Sequence, residues 1–260
     1  ATPDGYSLEQ LTTLAFLAGC TEKLQLVTSV TVVPHRPALL TAKILATADQ
    51  LSNGRVILGV GAGWLREEFE ALQTDPYDAR GKVTDEYIAA FKELWASEAP
   101  SFKGDYVNFG NILFAPKPAN GKNIPIWVGG ESNPALRRTA KLGDAWYPGS
   151  RNPKHRLDTP KRLADGIAKM RAMAEKQGRD PATVDVAYVV LTPLDWQAQA
   201  GQDTARRIMT GSAEQIAEDI LAFKALGLTH FNVSFPAGNL SEMTDAMQKF
   251  AEDVMPLVKS

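Results

Sequence analysis

Apolar residues recur along this chain in two alternating patterns, short continuous runs and three-to-four-residue spacings. Residues 7–20 place Leu8, Leu11, Leu14 or Ala15, and Ala18 on one face, which predicts a helix. Residues 24–33 predict a strand: Val27 to Val33 are all Val, Thr or Ser, the β-branched composition of a buried pleat. Two hydroxyls, Thr28 and Ser29, interrupt that run, and Pro34-His35-Arg36-Pro37 ends it.

The alternation continues downstream. Leu40, Ile44, Ala48 and Leu51 mark a helix stopped by Asn53-Gly54, and Val56 to Val60 is a run typical of a strand covered on both faces. Tyr87, Phe91, Leu94 and Trp95 mark the next helix. Residues 96–123 break the rhythm and read as an insertion with a small hairpin around Lys103-Gly104-Asp105, since Phe102, Tyr106, Val107, Phe109 and Phe114 need burial. A strand at 124–128 ends in Gly129-Gly130, a helix covers 133–142, and residues 144–147 form a short strand. Leu163, Ile167, Met170 and Ala174 then predict a helix, residues 184–191 a strand, and a polar segment reaches Gly211. Ser212-Ala213-Glu214-Gln215 is a capping-box pattern opening a helix with Ile216, Ile220 and Phe223 on one face. A strand at 229–234 and a helix carrying Met243, Met247, Phe250 and Val254 complete the order.

Six strands, each followed by a helix, imply a parallel sheet, because parallel neighbours need crossover connections. An eight-stranded β/α barrel takes about 250 residues from its own first strand. Six strands and a leading helix already occupy 260 residues here, so we expect one α/β barrel domain over 1–260 that lacks its first strand, helix and second strand. The competing layout is a doubly wound open sheet. Ala1-Thr2-Pro3-Asp4-Gly5 has no initiator Met and no signal-like apolar region, and reads as a cut or processed end within a larger fold.

Composition narrows the function classes without choosing one. A net charge of −2 gives no case for nucleic acid or a membrane as the main partner, and no run is long enough to span a bilayer. The single Cys20 excludes an intrachain disulfide and fits a reducing, cytoplasmic setting. His35, His155 and His230 are far apart and lack metal-ligand spacing, so no metal site is expected.

Candidate chemistry gathers where strands end. Gly59, Gly61 and Gly63 have the wrong spacing and place for a dinucleotide fingerprint; they allow a tight turn or a flat ligand against the main chain. Gly129-Gly130-Glu131-Ser132 ends a strand and opens a helix, whose free N–H groups suit a phosphate, although plain capping by Ser132 or Asn133 explains the pattern equally well. Arg151, Lys154, Arg156, Lys161 and Arg162 face one acid, Asp158, and read first as a solvated stretch, second as a site for a polyanionic tail. Arg36 suits pairing with a helix carboxylate such as Asp49. Trp64, Trp146 and Tyr147 either wall an aromatic pocket or fill core. No hydrolase-type triad has local support, and no catalytic acid or base is identified. A phosphosugar isomerase would need a catalytic Glu or Lys at a strand end, and none is convincing.

In combination, Thr28-Ser29-Val30, Pro34-His35-Arg36-Pro37, residues 46–55, Gly59 to Trp64 with Glu68-Phe69, Gly129 to Ser132, and Gly143-Asp144-Ala145-Trp146 resemble the bacterial luciferase-like family, and within it the coenzyme F420-dependent branch. The resemblance runs from about Leu11 to the C-terminus. It implies a β/α barrel that transfers hydride between F420 and a small organic substrate. The alternatives are a monooxygenase using reduced FMN and oxygen, or a non-catalytic flavin-binding protein. It also implies a non-proline cis peptide at Ser29-Val30 against the cofactor ring, Ala62 and Gly63 flanking the ring, and Gly129, Gly130, Glu131 and Ser132 on the phosphate. His35 and Trp64 fall in the substrate pocket; Trp64 stands where related sugar-phosphate dehydrogenases carry a glutamate, which favours an apolar or aromatic substrate. A principal acid or base would lie on the expected second strand, and a homodimer is the family precedent.

Overall fold

A computed structural model describes residues 7–121, 123–202, 206–236 and 238–259; Ala1 to Gly5 lie outside the described residues. The chain divides into two compact units, Ala1–Gly129 with Leu142–Asp144, and Gly130–Lys141 with Ala145–Ser260.

The first unit holds α1 (Gln10–Cys20), β1 (Leu26–Val27), β2 (Thr31–Val32), α2 (Ala38–Ser52), β3 (Val56–Gly61), α3 (Arg66–Leu72), α4 (Arg80–Ala96), the hairpin β4 (Phe102–Lys103) and β5 (Asn108–Phe109), and β6 (Ile126–Gly129). β3 is its axis. It pairs in parallel with β1 through Leu26 and Val56, with β2 through Thr31 and Val60, and with β6 through Leu58 and Ile126. Val56 to Val60 are accordingly all buried, as their unbroken apolar run requires. Val83, Tyr87, Ile88, Phe91, Leu94 and Trp95 of α4 join the same core, and Phe91 stacks on Trp95. The hairpin is antiparallel, as expected, with Val107 and Phe114 buried beneath it.

Several expectations need correction in this unit. The predicted strand 24–33 is two strands of two residues, parted at Thr28 to Val30 and followed by a 3-10 turn at Val33–His35. The side chain of Thr28 is the reason. Its hydroxyl accepts from the Gly59 N–H at 2.9 Å and donates to the Gly59 carbonyl at 3.0 Å, replacing main-chain pairing where the backbone steps aside. Of the predicted face of α2, Ala48 is buried and Ile44 packs against the core, whereas Leu40 and Leu51 are exposed and Ala38, Ala42, Leu45, Ala46 and Asp49 are buried instead. Arg36 pairs with Glu9 at 2.6 Å, not with Asp49. Asp49 is buried and accepts from the Val56 and Ala119 N–H groups, tying the end of α2 to the start of β3. Asn53 and Gly54 do end α2, both with positive φ.

The second unit holds α5 (Asn133–Leu142) up to its last residue, β7 (Ala145–Tyr147), α6 (Pro160–Lys176), β8 (Asp185–Val190), α7 (Ala213–Lys224), β9 (His230–Val233), α8 (Leu240–Lys249) and, past a π-helical turn at Phe250–Val254, α9 (Met255–Val258). β8 pairs in parallel with β7 through Val186 and Trp146, and with β9 through Ala187 and His230. Its core stacks Tyr188 on Phe223, with Phe231 against both. Both halves of the Ser212–Gln215 capping box form. The C-terminal helix meets expectation in part: Val254 is buried and Phe250 packs against the core, whereas Met247 is exposed and Ala246 takes the buried place in α8.

Candidate functional site

The segment Thr28–Val32 is built as a ledge on β3. Ser29 is exposed, Val30 and Val32 are half-buried, and Thr28 and Thr31 are buried. The Ser29–Val30 peptide is cis, as the resemblance implied. The glycines of β3 make the ledge possible. A Cβ on Gly59 would lie 1.8 Å from the Thr28 carbonyl oxygen, and one on Gly61 would lie 2.6 Å from Val30 Cγ2. Gly63 has φ +83, and its Cβ would meet Phe69 at 2.7 Å and Val32 at 2.9 Å. Neither a tight turn nor a ligand is what the close contacts at Gly59 and Gly61 show: their bareness admits the chain's own ledge. Val30 lays its methyls over Gly59 and Gly61, and Ser29 is the exposed residue of the ledge.

Beyond β3, Ala62 and Gly63 are half-buried and Trp64 is 79% exposed, so Trp64 fills no core. Its carbonyl accepts from the Tyr77 hydroxyl at 3.0 Å, and the Gly63 carbonyl accepts from Arg80 Nε at 3.3 Å. The guanidiniums of Arg80 and Arg66 lie 3.9 and 4.5 Å from the Tyr77 ring centre. His35 packs edge-on against Phe69 at 4.6 Å, and Phe69 against Tyr77 at 5.4 Å. His35 Nε2 is buried and has no hydrogen-bond partner among the described residues. Burial pulls the imidazole below its usual range; Glu68 opposes this and Arg36 adds to it, so His35 is neutral at neutral pH. Tyr77 and Arg80 escaped sequence reasoning, for they reach Gly63 and Trp64 only by tertiary packing and carry no local signal.

In the second unit Gly130, with φ +100, turns the chain into α5. The Ser132 hydroxyl accepts from the Ala135 N–H at 3.4 Å, a loose cap. Glu131 points its carboxylate into the following loop, accepting from the Gly149 N–H at 2.7 Å and from Asn152 Nδ2 at 2.6 Å. What Glu131 can offer an anion is therefore its backbone N–H. The Gly130 carbonyl takes the Trp146 indole N–H at 2.9 Å, so Trp146 is a core residue with a polar anchor. Tyr147 is likewise buried, its hydroxyl accepting from Asn232 Nδ2. Gly129 closes β6 in the first unit. The basic run is largely self-neutralised: Arg156 and Arg162 share Asp158 at 2.6 and 2.8 Å, and Lys161 pairs with Asp165 at 3.1 Å. Burial would raise the Asp158 carboxyl, but the two guanidiniums outweigh it and hold the group below its usual range. His230 bonds through Nδ1 to Thr229 within its strand.

The donor set suits a flat, partly polar ring rather than a metal: an apolar ledge, main-chain groups, a neutral imidazole and aromatic edges. Among the described residues no cluster of His, Cys, Asp or Glu is placed to hold a metal ion.

A family model described as luciferase-like monooxygenase matches residues 1–210. Pyrimidine monooxygenase RutA of Allorhizobium ampelinum is 26% identical over 98% of this chain and 80% of its own length. The FMNH2-dependent dimethylsulfone monooxygenase of Pseudomonas putida is 28% identical over 96% of this chain and 78% of its own. Among solved structures, an F420-dependent secondary alcohol dehydrogenase in complex with an F420–acetone adduct matches with a TM-score of 0.79 at 20% identity, covering 100% of this chain and 87% of that one. Monooxygenase RslO1 of Streptomyces bottropensis matches at 0.77 with 21% identity, covering 97% and 84%. These matches show the fold to be the β/α barrel of the luciferase-like type. The chain belongs to the luciferase-like monooxygenase family, whose members are flavin- or deazaflavin-dependent oxidoreductases.

Proposed function

We propose that the chain is a reduced-flavin-dependent monooxygenase acting on a small, largely apolar organic substrate. The observation that carries this reading is the ledge at Ser29–Val30 above glycine-only positions of β3, a backing for a flat ring system. The choice of FMN draws on the relatives: two proteins similar over nearly the whole chain are monooxygenases, and one of them is FMNH2-dependent. It draws also on Asp158, which neutralises two of the arginines that had favoured a polyanionic tail.

Reduced flavin, when bound, would supply the electrons that activate oxygen. The chain's own residues bind, orient and exclude water. In the first unit Val30 would back a flat ring and Ala62 and Gly63 would flank its edge; in the second, taken by itself, the N–H groups of Gly130, Glu131 and Ser132 at the N-terminus of α5 suit a phosphate. Trp64 supplies an exposed apolar surface for substrate, its backbone held by Tyr77. His35, neutral and packed edge-on against Phe69, would add an uncharged wall to the substrate pocket.

Anaerobic titration with reduced FMN and reduced F420, followed by oxygen-uptake assays with organic sulfur, pyrimidine and enone substrates, tests this. Tight binding of reduced FMN with substrate-dependent oxygen uptake is expected. Preference for F420 with oxygen-independent turnover would establish hydride transfer instead. That second reading is favoured by Arg151 and Lys154, which have no carboxylate partner among the described residues and could meet a polycarboxylate tail. Cofactor binding without turnover of any substrate would leave a non-catalytic flavin-binding protein.

A further inference from the structure

The second unit contains a cavity of about 410 Å3 whose lining includes Ser150, Arg151, Arg156, Thr159, Arg206 and Arg207. Its charge comes from two separate stretches of chain. The earlier one was visible as a basic run; Arg206 and Arg207, just before α7, were not singled out by any sequence pattern.

The arginines divide into fixed and available groups. Arg206 is spent on structure: it forks onto Asp219 at 2.8 and 2.9 Å and also donates to the Gln215 and Thr210 carbonyls. Arg156 is held by Asp158. Arg207 is different. The nearest carboxylate oxygen, on Asp195, is 3.9 Å away, and its buried Nε has no hydrogen-bond partner among the described residues. Arg151 has no carboxylate partner among the described residues. Thr159, accepting from the Arg162 N–H, caps α6 and so brings the N-terminus of a 17-residue helix to the cavity wall. Around the cavity, Arg151, Arg156, Arg162, Arg206 and Arg207 face Asp158, Asp195 and Asp219, leaving positive charge in excess. A buried guanidinium N–H without an acceptor is costly, and an oxyanion is the partner that a planar, forked donor fits best.

We propose that this cavity is an oxyanion-binding site for an organic phosphate, with Arg207 and Arg151 as its ligands. The volume falls within the range of about 300–1,000 Å3 typical of small-molecule sites, which leaves room for an organic group beyond the phosphate. The phosphate is that of a phosphorylated metabolite separate from the cofactor, whose own phosphate is assigned to the start of α5. The inference does not depend on the reduced-FMN reading, because inorganic phosphate probes the cavity with no cofactor present.

The test is a phosphorus NMR titration of the full chain with inorganic phosphate, alongside calorimetry with FMN and with riboflavin. Wild type, Arg151→Ala, Arg207→Ala and Arg207→Lys are compared. Phosphate should bind wild type and weaken about tenfold in each alanine variant, as expected for loss of one charge-assisted contact. Arg207→Lys should fall between, since an ammonium keeps the charge without the fork. If FMN binding is unmoved while phosphate weakens, a separate phosphate ester is the occupant and the site is upheld. FMN that weakens in step while riboflavin does not would make the cofactor phosphate the occupant and overturn the proposal. Phosphate that fails to bind wild type, or binds both alanine variants as tightly as wild type, overturns it. Should Arg207→Ala fail to fold, Arg151→Ala and Arg207→Lys carry the same test.

Discussion

Thr28 shows how one hydroxyl can redirect a strand. Its side chain both donates to and accepts from Gly59, with all of these groups buried. Thr28→Val keeps the shape and strands both main-chain groups of Gly59, so it should lower stability by about 1–3 kcal/mol for each group left unpaired. Thr28→Ser retains the hydroxyl and should stay within about 1 kcal/mol of wild type, the loss of one methyl. Urea denaturation of both variants measures this, and equal losses would mean that the hydroxyl does not hold the ledge. The run of Val, Thr and Ser was legible as strand-forming, but its break was not. The partner that causes the break lies 31 residues away in sequence, beyond any local pattern. Trp64 makes a complementary case. It was placed correctly at a strand end, yet its two possible roles, core or pocket wall, separate only once its exposure is known. Trp64→Ala should therefore cost less than about 1 kcal/mol in stability while raising KM for an apolar substrate several-fold. A large loss of stability with unchanged KM would return Trp64 to a structural role.

Elements whose signals are local were read correctly, and those set by distant contacts were not. The capping box at Ser212 and the Asn53-Gly54 stop depend on residues within one turn, and both form. The face of α2 was placed rightly at Ala48 and wrongly at Leu40 and Leu51, because the polar Thr41, Asp49 and Ser52 are buried and blur its apolar stripe. Close packing selected its small residues, Ala38, Ala42 and Ala46, and left Leu40 and Leu51 outside. The start of α1 was also drawn too early, because Glu9, an unlikely cap by composition, fills that place. Its carboxylate accepts from the Leu11 and Thr12 N–H groups and pairs with Arg36, which fixes α1 to the segment after β2. Burial would raise the Glu9 pKa, but these hydrogen bonds outweigh it and bring the value down to about 2 from 4.5. A folded-state value below the unfolded one means that ionised Glu9 stabilises the fold above pH 4.5, and that this contribution is lost as pH falls through about 2. Glu9→Gln should thus cost about 0.5–2 kcal/mol at neutral pH, the usual worth of a cap. The gap between variant and wild type should stay constant from pH 6 to 8 and close below pH 4.5. A gap that persists unchanged in acid would show that the charge plays no part.

At the scale of the whole molecule, the net charge of −2 does nothing to draw an anionic cofactor, so any attraction must come from local groups. Those groups are of two kinds, and both lie where strands end. Main-chain N–H groups at Gly130 to Ser132 and the arginines around the second unit's cavity offer charge or partial charge, whereas the ledge of the first unit offers only shape and apolar surface. Binding energy for reduced FMN should separate into a salt-sensitive part from its phosphate and a salt-insensitive part from its ring. The consequence appears in thermal unfolding. Reduced FMN at a hundredfold excess over its Kd should stabilise the chain by about 2.7 kcal/mol, raising Tm by roughly 5–10 °C for a chain of this size. Raising the salt concentration at fixed ligand should shrink that increment, because the phosphate contacts are screened. Riboflavin, which keeps the ring and lacks the phosphate, should give a smaller increment that salt leaves unchanged. A riboflavin increment as large as that of reduced FMN would place the binding energy in the ring alone and remove the phosphate contacts from the account.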